Sequence, residues 1–187
     1  MQRREDIFHR DAHVVVRSIC GSDPDFFARQ ERAQGWHATP EKLLRRLSDH
    51  REGRAIALVA VYDGEPAGYG SVYPNAQEGP FAGKGFCEIV DLAVLERFRR
   101  RGIGNLLLDV AEGIAFTYAD TVYLAVGLHS GYGSAQRIYV RRGYLPHDSG
   151  AWYAESPAQP YQGYPLDDNL VLYLSKTFSQ GTPVKNR

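Results

Sequence analysis

The sequence predicts a mixed α/β domain, in which a largely antiparallel sheet of about six or seven strands is flanked by about four helices. Three observations predict it. Strand-like runs alternate with helical stripes along the chain instead of segregating into blocks. Residues 55–62 and 66–73 are two strand-like runs that close around Asp63-Gly64, the turn pair of a β-hairpin. An apolar run at residues 86–94 then feeds a helical stripe through a glycine-punctuated turn. A length of 187 residues suits a single domain, residues 1–187, with room for a buried core.

The elements follow in order. Residues 14–19 (VVVRSI) are β-branched and form a first strand that stops at Gly21. Ser22-Asp23-Pro24 supplies a cap and an early proline for a helix that Gly35 ends, and Thr39-Pro40 repeats the signal. In that second helix Leu43, Leu44 and Leu47 make the apolar stripe, while Arg45, Arg46, Asp49 and Arg51 read as a solvated face. The hairpin comes next, then a Gly- and Pro-rich loop at 74–85 and the strand 86–94. Beyond the turn, Leu107, Val110, Ile114 and Tyr118 mark one face of a helix, with Asp109 and Glu112 outside that stripe. Residues 121–127 (TVYLAVG) are a strand. Gly133 or Ser134 caps a helix that buries Ala135, Ile138 and Tyr139 and stops at Gly143. Residues 144–146 are extended, 149–168 form an aromatic-rich insertion loop, 170–174 (LVLYL) are the last strand, and 176–187 a flexible polar tail.

Composition narrows the function classes. Hydrophobic residues at 43% and charged residues at 24% exclude a disordered or membrane-spanning chain. Lys plus Arg equals Asp plus Glu, 22 against 22, so no global field steers the protein toward nucleic acid or an anionic membrane. The opening MQRREDIFHR has no apolar signal-peptide core, and the expected location is cytoplasmic. Cys20 and Cys87 lie far apart and read as reduced thiols, and His9 and His13 lack the glutamate of a zinc-binding pair, so no metal is expected.

The chemistry concentrates in residues 86–105, FCEIVDLAVLERFRRRGIGN. A buried strand that ends at a glycine turn and enters a helix N-terminus builds an anion site from backbone N–H groups. The P-loop spacing is absent, and Leu107 stands where a dinucleotide fingerprint needs its third glycine. What stands there is Arg99-x-x-Gly102-x-Gly104 directly after Leu92-Ala93-Val94, followed downstream by a helix reading Tyr139-x-x-x-Gly143-Tyr144. This combination resembles the GNAT-type N-acetyltransferases, over about a third of the chain.

The resemblance implies acetyl-coenzyme A as co-substrate. The backbone of Leu92, Ala93 and Val94 would pair with the pantetheine amides, and the N–H groups from Arg99 through Arg100, Arg101, Gly102, Ile103 and Gly104 to Asn105 would hold the pyrophosphate. Tyr139 falls where the family places the acid that protonates the departing thiolate. Glu88 matches the glutamate that some members use as general base, and Asp91 is the competing carboxylate, on the opposite strand face unless a bulge intervenes. Tyr132 stands where many members have an asparagine, so Ser130 or Ser134 would be the substitute cofactor contact. Asp91, His129, Trp152 and Tyr153 would bind the acceptor, a cationic amine on a small molecule or a peptide. The exposed aromatics suit a homodimer contact equally well. The implied activity is direct transfer of acetyl to a primary amine. The alternative is a non-catalytic acyl-coenzyme A binding or sensing module of the same fold.

Overall fold

The computed structural model describes residues 6–178, which fall into two compact units, residues 6–74 with Ile89–Ala115 and Asn75–Glu88 with 116–178. Nine strands and four α-helices are present among the described residues. The first unit carries β1 (Ile7–Arg10), β2 (Val14–Ser18), α1 (Asp23–Ala33), α2 (Glu41–Arg51), β3 (Ile56–Tyr62), β4 (Glu65–Tyr73), most of β5 (Cys87–Val94) and α3 (Ile103–Ala115). Its strands are neighbours in the order β1-β2-β3-β4-β5. The second unit carries β6 (Thr121–Gly127), α4 (Gly133–Arg141), β7 (Leu145–Tyr153), β8 (Ser156–Pro157) and β9 (Leu170–Thr177), with strand order β6-β9-β7-β8.

The hairpin forms as the sequence predicts. Asp63 (φ 47°) and Gly64 (φ 86°) both take the left-handed conformation that a two-residue hairpin turn requires. Phe27 on α1 meets Tyr69 on β4 edge-on at 4.8 Å. Alternation sends the neighbouring Gly68 to the other face, where a Cβ would stand 3.3 Å from Leu107 of α3 and 2.6 Å from the Ala93 carbonyl oxygen of β5. A side chain at position 68 would therefore force β4 and β5 apart. In the second unit Tyr139 is the buried residue of α4, and its ring lies 5.8 Å from that of fully buried Tyr144.

Four expectations need correction. The sheet strands number nine, not six or seven: β1 is mostly exposed and β8 is two residues long, so neither carries an apolar alternation to read. The buried stripe of α3 is Ile103, Leu107, Leu108, Ala111, Glu112 and Ala115, one step round from the predicted face; Tyr118 is exposed beyond the helix. The polar face of α2 is not solvated throughout, because Arg46 and Asp49 are buried in an ion-pair network. The segment 149–168 begins as sheet: β7 runs to Tyr153 through a register shift between Pro146 and Ala151, and its Pro, Asp, Ser and Gly content hides it as a loop. The expected flexible tail lies mostly outside the described residues.

Candidate active site

The candidate cofactor platform lies in the first unit. β5 is buried at Cys87, Glu88 and Ile89, then half-buried from Val90 to Val94. Asp91, the second residue of the half-buried stretch, has φ 57°, an unusual conformation for a residue with a Cβ and the mark of a break in the pleat. The bulge that sequence alternation left open is therefore present. After Val94 the buried side chains of Leu95 and Phe98 anchor a 3₁₀ turn, Glu96–Phe98, and Glu96 N–H donates to Gln34 Oε1 at 3.0 Å.

The three arginines then diverge. Arg99 Nε donates to the Val94 carbonyl at 3.3 Å, and its guanidinium lies 5.2 Å from the Trp36 ring centre. Arg101 lies 4.9 Å from the Tyr62 ring centre, while Arg100 turns the chain with φ 62°. Gly102 (φ 80°) opens α3, and its carbonyl accepts the Leu106 N–H at 3.0 Å. The N–H groups of Ile103, Gly104 and Asn105 precede that bond, so helix geometry gives them no acceptor within α3. An anion at such an end gains roughly 0.3–1 kcal/mol from the helix dipole before direct hydrogen bonds are counted.

A buried ionic network fixes the bulge. Arg46 of α2 reaches Asp91 Oδ2 with Nε at 2.5 Å and Tyr73 OH with a terminal nitrogen at 2.8 Å. Tyr73 donates to Asp49, whose other oxygen takes Arg54 at 2.6 Å. Burial works against the charge on Arg46, but Asp91 and Tyr73 outweigh it and hold the guanidinium above its ordinary value. Burial likewise lifts Asp49, and hydrogen bonds from Tyr73 and Arg54 outweigh it to leave the carboxyl below the usual range. Burial and the bond to Asp49 push Tyr73 up to about 12. The Asp91 carboxylate is thus engaged by Arg46.

The remaining predicted residues belong to the second unit. Glu88 is 6% exposed. Burial first, and then the Glu88 charge, push the Cys87 thiol up to about 12. Tyr173 of β9 is pushed up to about 12 by burial and by the charges of Glu88, Glu78 and Glu155. Tyr139 is pushed up to about 12 by burial alone. Ser134 is exposed in the first turn of α4.

His129 accepts the Gly131 N–H on Nδ1 at 3.1 Å, which leaves Nε2 to donate to Asp168 at 2.9 Å. Tyr132, at the family's asparagine position, donates to the same Asp168 oxygen at 3.0 Å and lays its ring over Gly127. His129 is therefore part of a local cluster with Tyr132 and Asp168. Trp152 packs on Tyr173 at 5.7 Å, whereas Tyr153 bonds Asp167 at 3.2 Å and packs on Tyr164.

Residues 22–144 match the family model described as the acetyltransferase (GNAT) family. That is well over half of the chain. The chain belongs to the GNAT acetyltransferase family. Solved GNAT structures share its fold. Ard1 from Thermoplasma volcanium is 18% identical, with 90% of this chain and 100% of that one covered at a TM-score of 0.63. Naa50 from Arabidopsis thaliana, solved with the bisubstrate analogue CoA-Ac-MVNAL, is 16% identical over 89% and 100% at 0.61. RimL, a ribosomal L7/L12 alpha-N-protein acetyltransferase solved with coenzyme A, is 13% identical over 92% and 98% at 0.65. No curated protein sequence matches.

Several residues of this GNAT chain that bear on the site escaped sequence reading. Arg46 and Tyr73 did so because a charge on a helix reads as solvated until its tertiary partner is known. Phe81, Tyr123, His147 and Tyr173 cluster around Trp152, and the one available signal was the alternation that puts Tyr123 and Tyr173 on a single face of their strands. No helix among the described residues is long and apolar enough to cross a membrane.

Proposed function

We propose that the protein is an N-acetyltransferase that moves an acetyl group from acetyl-coenzyme A to a primary amine by direct transfer. The observation that carries this reading is β5, bulged at Asp91, half-buried over Leu92–Val94 and running into the glycine-opened N-terminus of α3. Half-buried strand backbone suits the pantetheine amides as an added strand. The first-turn N–H groups of α3 suit the pyrophosphate, with Arg100 beside them and Ser134 as a further contact. The acetyl thioester, when bound, supplies the activated carbonyl.

The residues of the chain do the rest. Glu88 accepts a proton from the substrate ammonium, because only the neutral amine carries a lone pair for attack, and such a base is worth about 10² to 10⁴ in rate. The neutral amine attacks the thioester carbonyl, so the C–N bond forms and the C–S bond breaks with its electron pair going to sulfur, and the surplus proton on the new amide nitrogen passes to solvent. Tyr139 donates its hydroxyl hydrogen to that sulfur. Held at about 12 by burial, the phenol carries its proton across the physiological range until the sulfur charge develops, and the tyrosinate left by the transfer regains a proton from solvent. Neither Cys20 nor Cys87 serves as a nucleophile in this scheme, and Cys87 is buried and held as a thiol.

The test is thiol release from acetyl-coenzyme A by wild type, Tyr139→Phe and Glu88→Gln across a panel of primary amines, with calorimetric binding of coenzyme A alongside. Turnover by wild type, with both variants binding coenzyme A normally but slowed tenfold or more, is the expected result. A protein that does not bind coenzyme A would refute the proposal. Binding without turnover of any amine would favour the acyl-coenzyme A sensing module.

A further inference from the structure

A set of rings that the chemistry above does not use walls a groove in the second unit. Phe81, Phe86, Tyr123, His147 and Trp152 line about 470 Å³, within the size range of small-molecule sites. The rings pack on one another at tilted and edge-to-face angles: Phe81 lies 3.8 Å from Tyr123 and 4.9 Å from His147, and Phe86 lies 5.0 Å from Tyr123. Such a wall fits a flat apolar group.

Two polar atoms on lining residues are buried without a hydrogen-bond partner, Trp152 Nε1 and Ser149 Oγ. An indole N–H can only donate, so what it lacks is an acceptor. Leaving a buried donor unpaired is unfavourable, and a ligand oxygen would relieve it. Lys84, also on the groove, adds a positive charge that favours an oxygen bearing partial or full negative charge. Behind the wall Tyr173 touches both Phe81 (5.5 Å) and Trp152 (5.7 Å), and it feels the charges of Glu88, Glu78 and Glu155. An aromatic groove with unpaired donors thus backs onto Tyr173, the ring on which the charges of Glu88, Glu78 and Glu155 act.

We propose that this groove holds the body of the acceptor, a small primary amine carried on an aromatic ring system that also bears a carbonyl or carboxylate oxygen. The ring lies against the exposed parts of Phe86, His147 and Trp152, the oxygen accepts from Trp152 Nε1 and Ser149 Oγ, and the ammonium group points toward Glu88. The inference rests on the N-acetyltransferase reading and adds a substrate class to it.

Calorimetry on the full chain with four probes tests it: phenylalanine, phenylalaninamide, 2-phenylethylamine, which lacks the oxygen, and putrescine, which lacks both ring and oxygen. At least one oxygen-bearing aromatic amine should bind ten times or more tighter than 2-phenylethylamine, and putrescine weaker still. Trp152→Phe keeps a ring and removes the N–H, and it should abolish the preference for the oxygen. Coenzyme A binding to the same variant shows that it is folded. Putrescine binding as tightly as the aromatic amines, or an oxygen preference that survives both Trp152→Phe and Ser149→Ala, would overturn the proposal. Coenzyme A binding with no aromatic amine bound would overturn it and leave the acetyltransferase reading standing. Failure to bind coenzyme A would instead strike the function itself.

Discussion

Replacing Arg46 by Met tests whether the buried network sets the shape of β5. The Met side chain retains most of the apolar stem and removes the guanidinium, leaving Asp91 and Asp49 with side chains only 19% and 8% exposed. Breaking a buried pair by deleting one partner costs about 3–5 kcal/mol. The lower end applies, near 3 kcal/mol, because Asp49 keeps Arg54 and Tyr73 and Asp91 keeps some contact with water.

Asp91→Asn removes the opposite charge while an Asn side chain still tolerates φ 57°. The double variant Arg46→Met/Asp91→Asn leaves no unpaired charge at the bulge, so it should be more stable than the sum of the single losses by at least about 1.5 kcal/mol, within the range of coupled neighbours. Urea unfolding followed by circular dichroism gives the three stabilities. Coenzyme A calorimetry gives the functional consequence, a several-fold weaker affinity in Arg46→Met because Leu92–Val94 leave the bulge in a different direction. A single-variant loss under about 1 kcal/mol together with an additive double variant would refute the reasoning, since both are what an exposed, screened pair gives.

Other outcomes follow from the same geometry. Gly102→Ala meets open space, so its cost is backbone strain alone, about 1–2 kcal/mol, and coenzyme A affinity should fall with stability; Gly102→Asn should lose less of both. Tyr73, Tyr139 and Tyr173 all rise to about 12 in the folded state, so the stability they contribute is full below about pH 10 and lost as pH climbs toward 12. Stability against pH should accordingly stay flat up to pH 10 and then drop steeply, with phenolate absorbance appearing together with unfolding. Asp49 is held below the usual carboxylate range, so its contribution is present above about pH 4 and lost as the pH falls through the lowered value; Asp49→Asn should flatten that acid limb in a thermal-melt series.

Most of the element order was legible because it rests on local signals. The Asp63-Gly64 turn, the β-branched run at 14–19 and the Gly102 and Gly143 breaks act within a few residues of themselves, and the structure has each within a residue of where the pattern put it. What stayed hidden depended on partners distant in sequence. Glu112 is a charge inside the buried stripe of α3, so a reading that assigned charges to the outside rotated the whole stripe. β7 keeps its strand through Pro146 and Gly150 because β9 offers a full-length neighbour, which composition cannot reveal. The loop at 74–85 read as plain Gly-Pro connection, yet it delivers Phe81 to the aromatic groove, where Phe86, read as the first residue of the next strand, joins it. The candidate cofactor platform was the easiest part to foresee, because backbone N–H groups at a helix start need only glycine and spacing. The aromatic groove was the hardest, because a ring carries no sequence mark that tells core from site.

The choice of residue at position 91 draws these strands together. Glycine would adopt φ 57° at no cost and Asn or Asp at a small one, whereas most other side chains there carry about 1–2 kcal/mol of strain. The aspartate keeps its place because its carboxylate closes a chain of contacts from Arg46 through Tyr73 to Asp49, all within the first unit, and the buried guanidinium would otherwise face Tyr73 with its charge uncompensated. Losing that partner costs more than the strain. The same side chain lies in the half-buried part of β5: Cys87, Glu88 and Ile89 are buried, and the strand is half-buried from Val90 through Asp91 to Val94. An ion pair that looks like a stability element is in this sense a positioning device. It holds the left-handed turn at Asp91 in place, just ahead of the Leu92–Val94 stretch that the proposed function assigns to the cofactor.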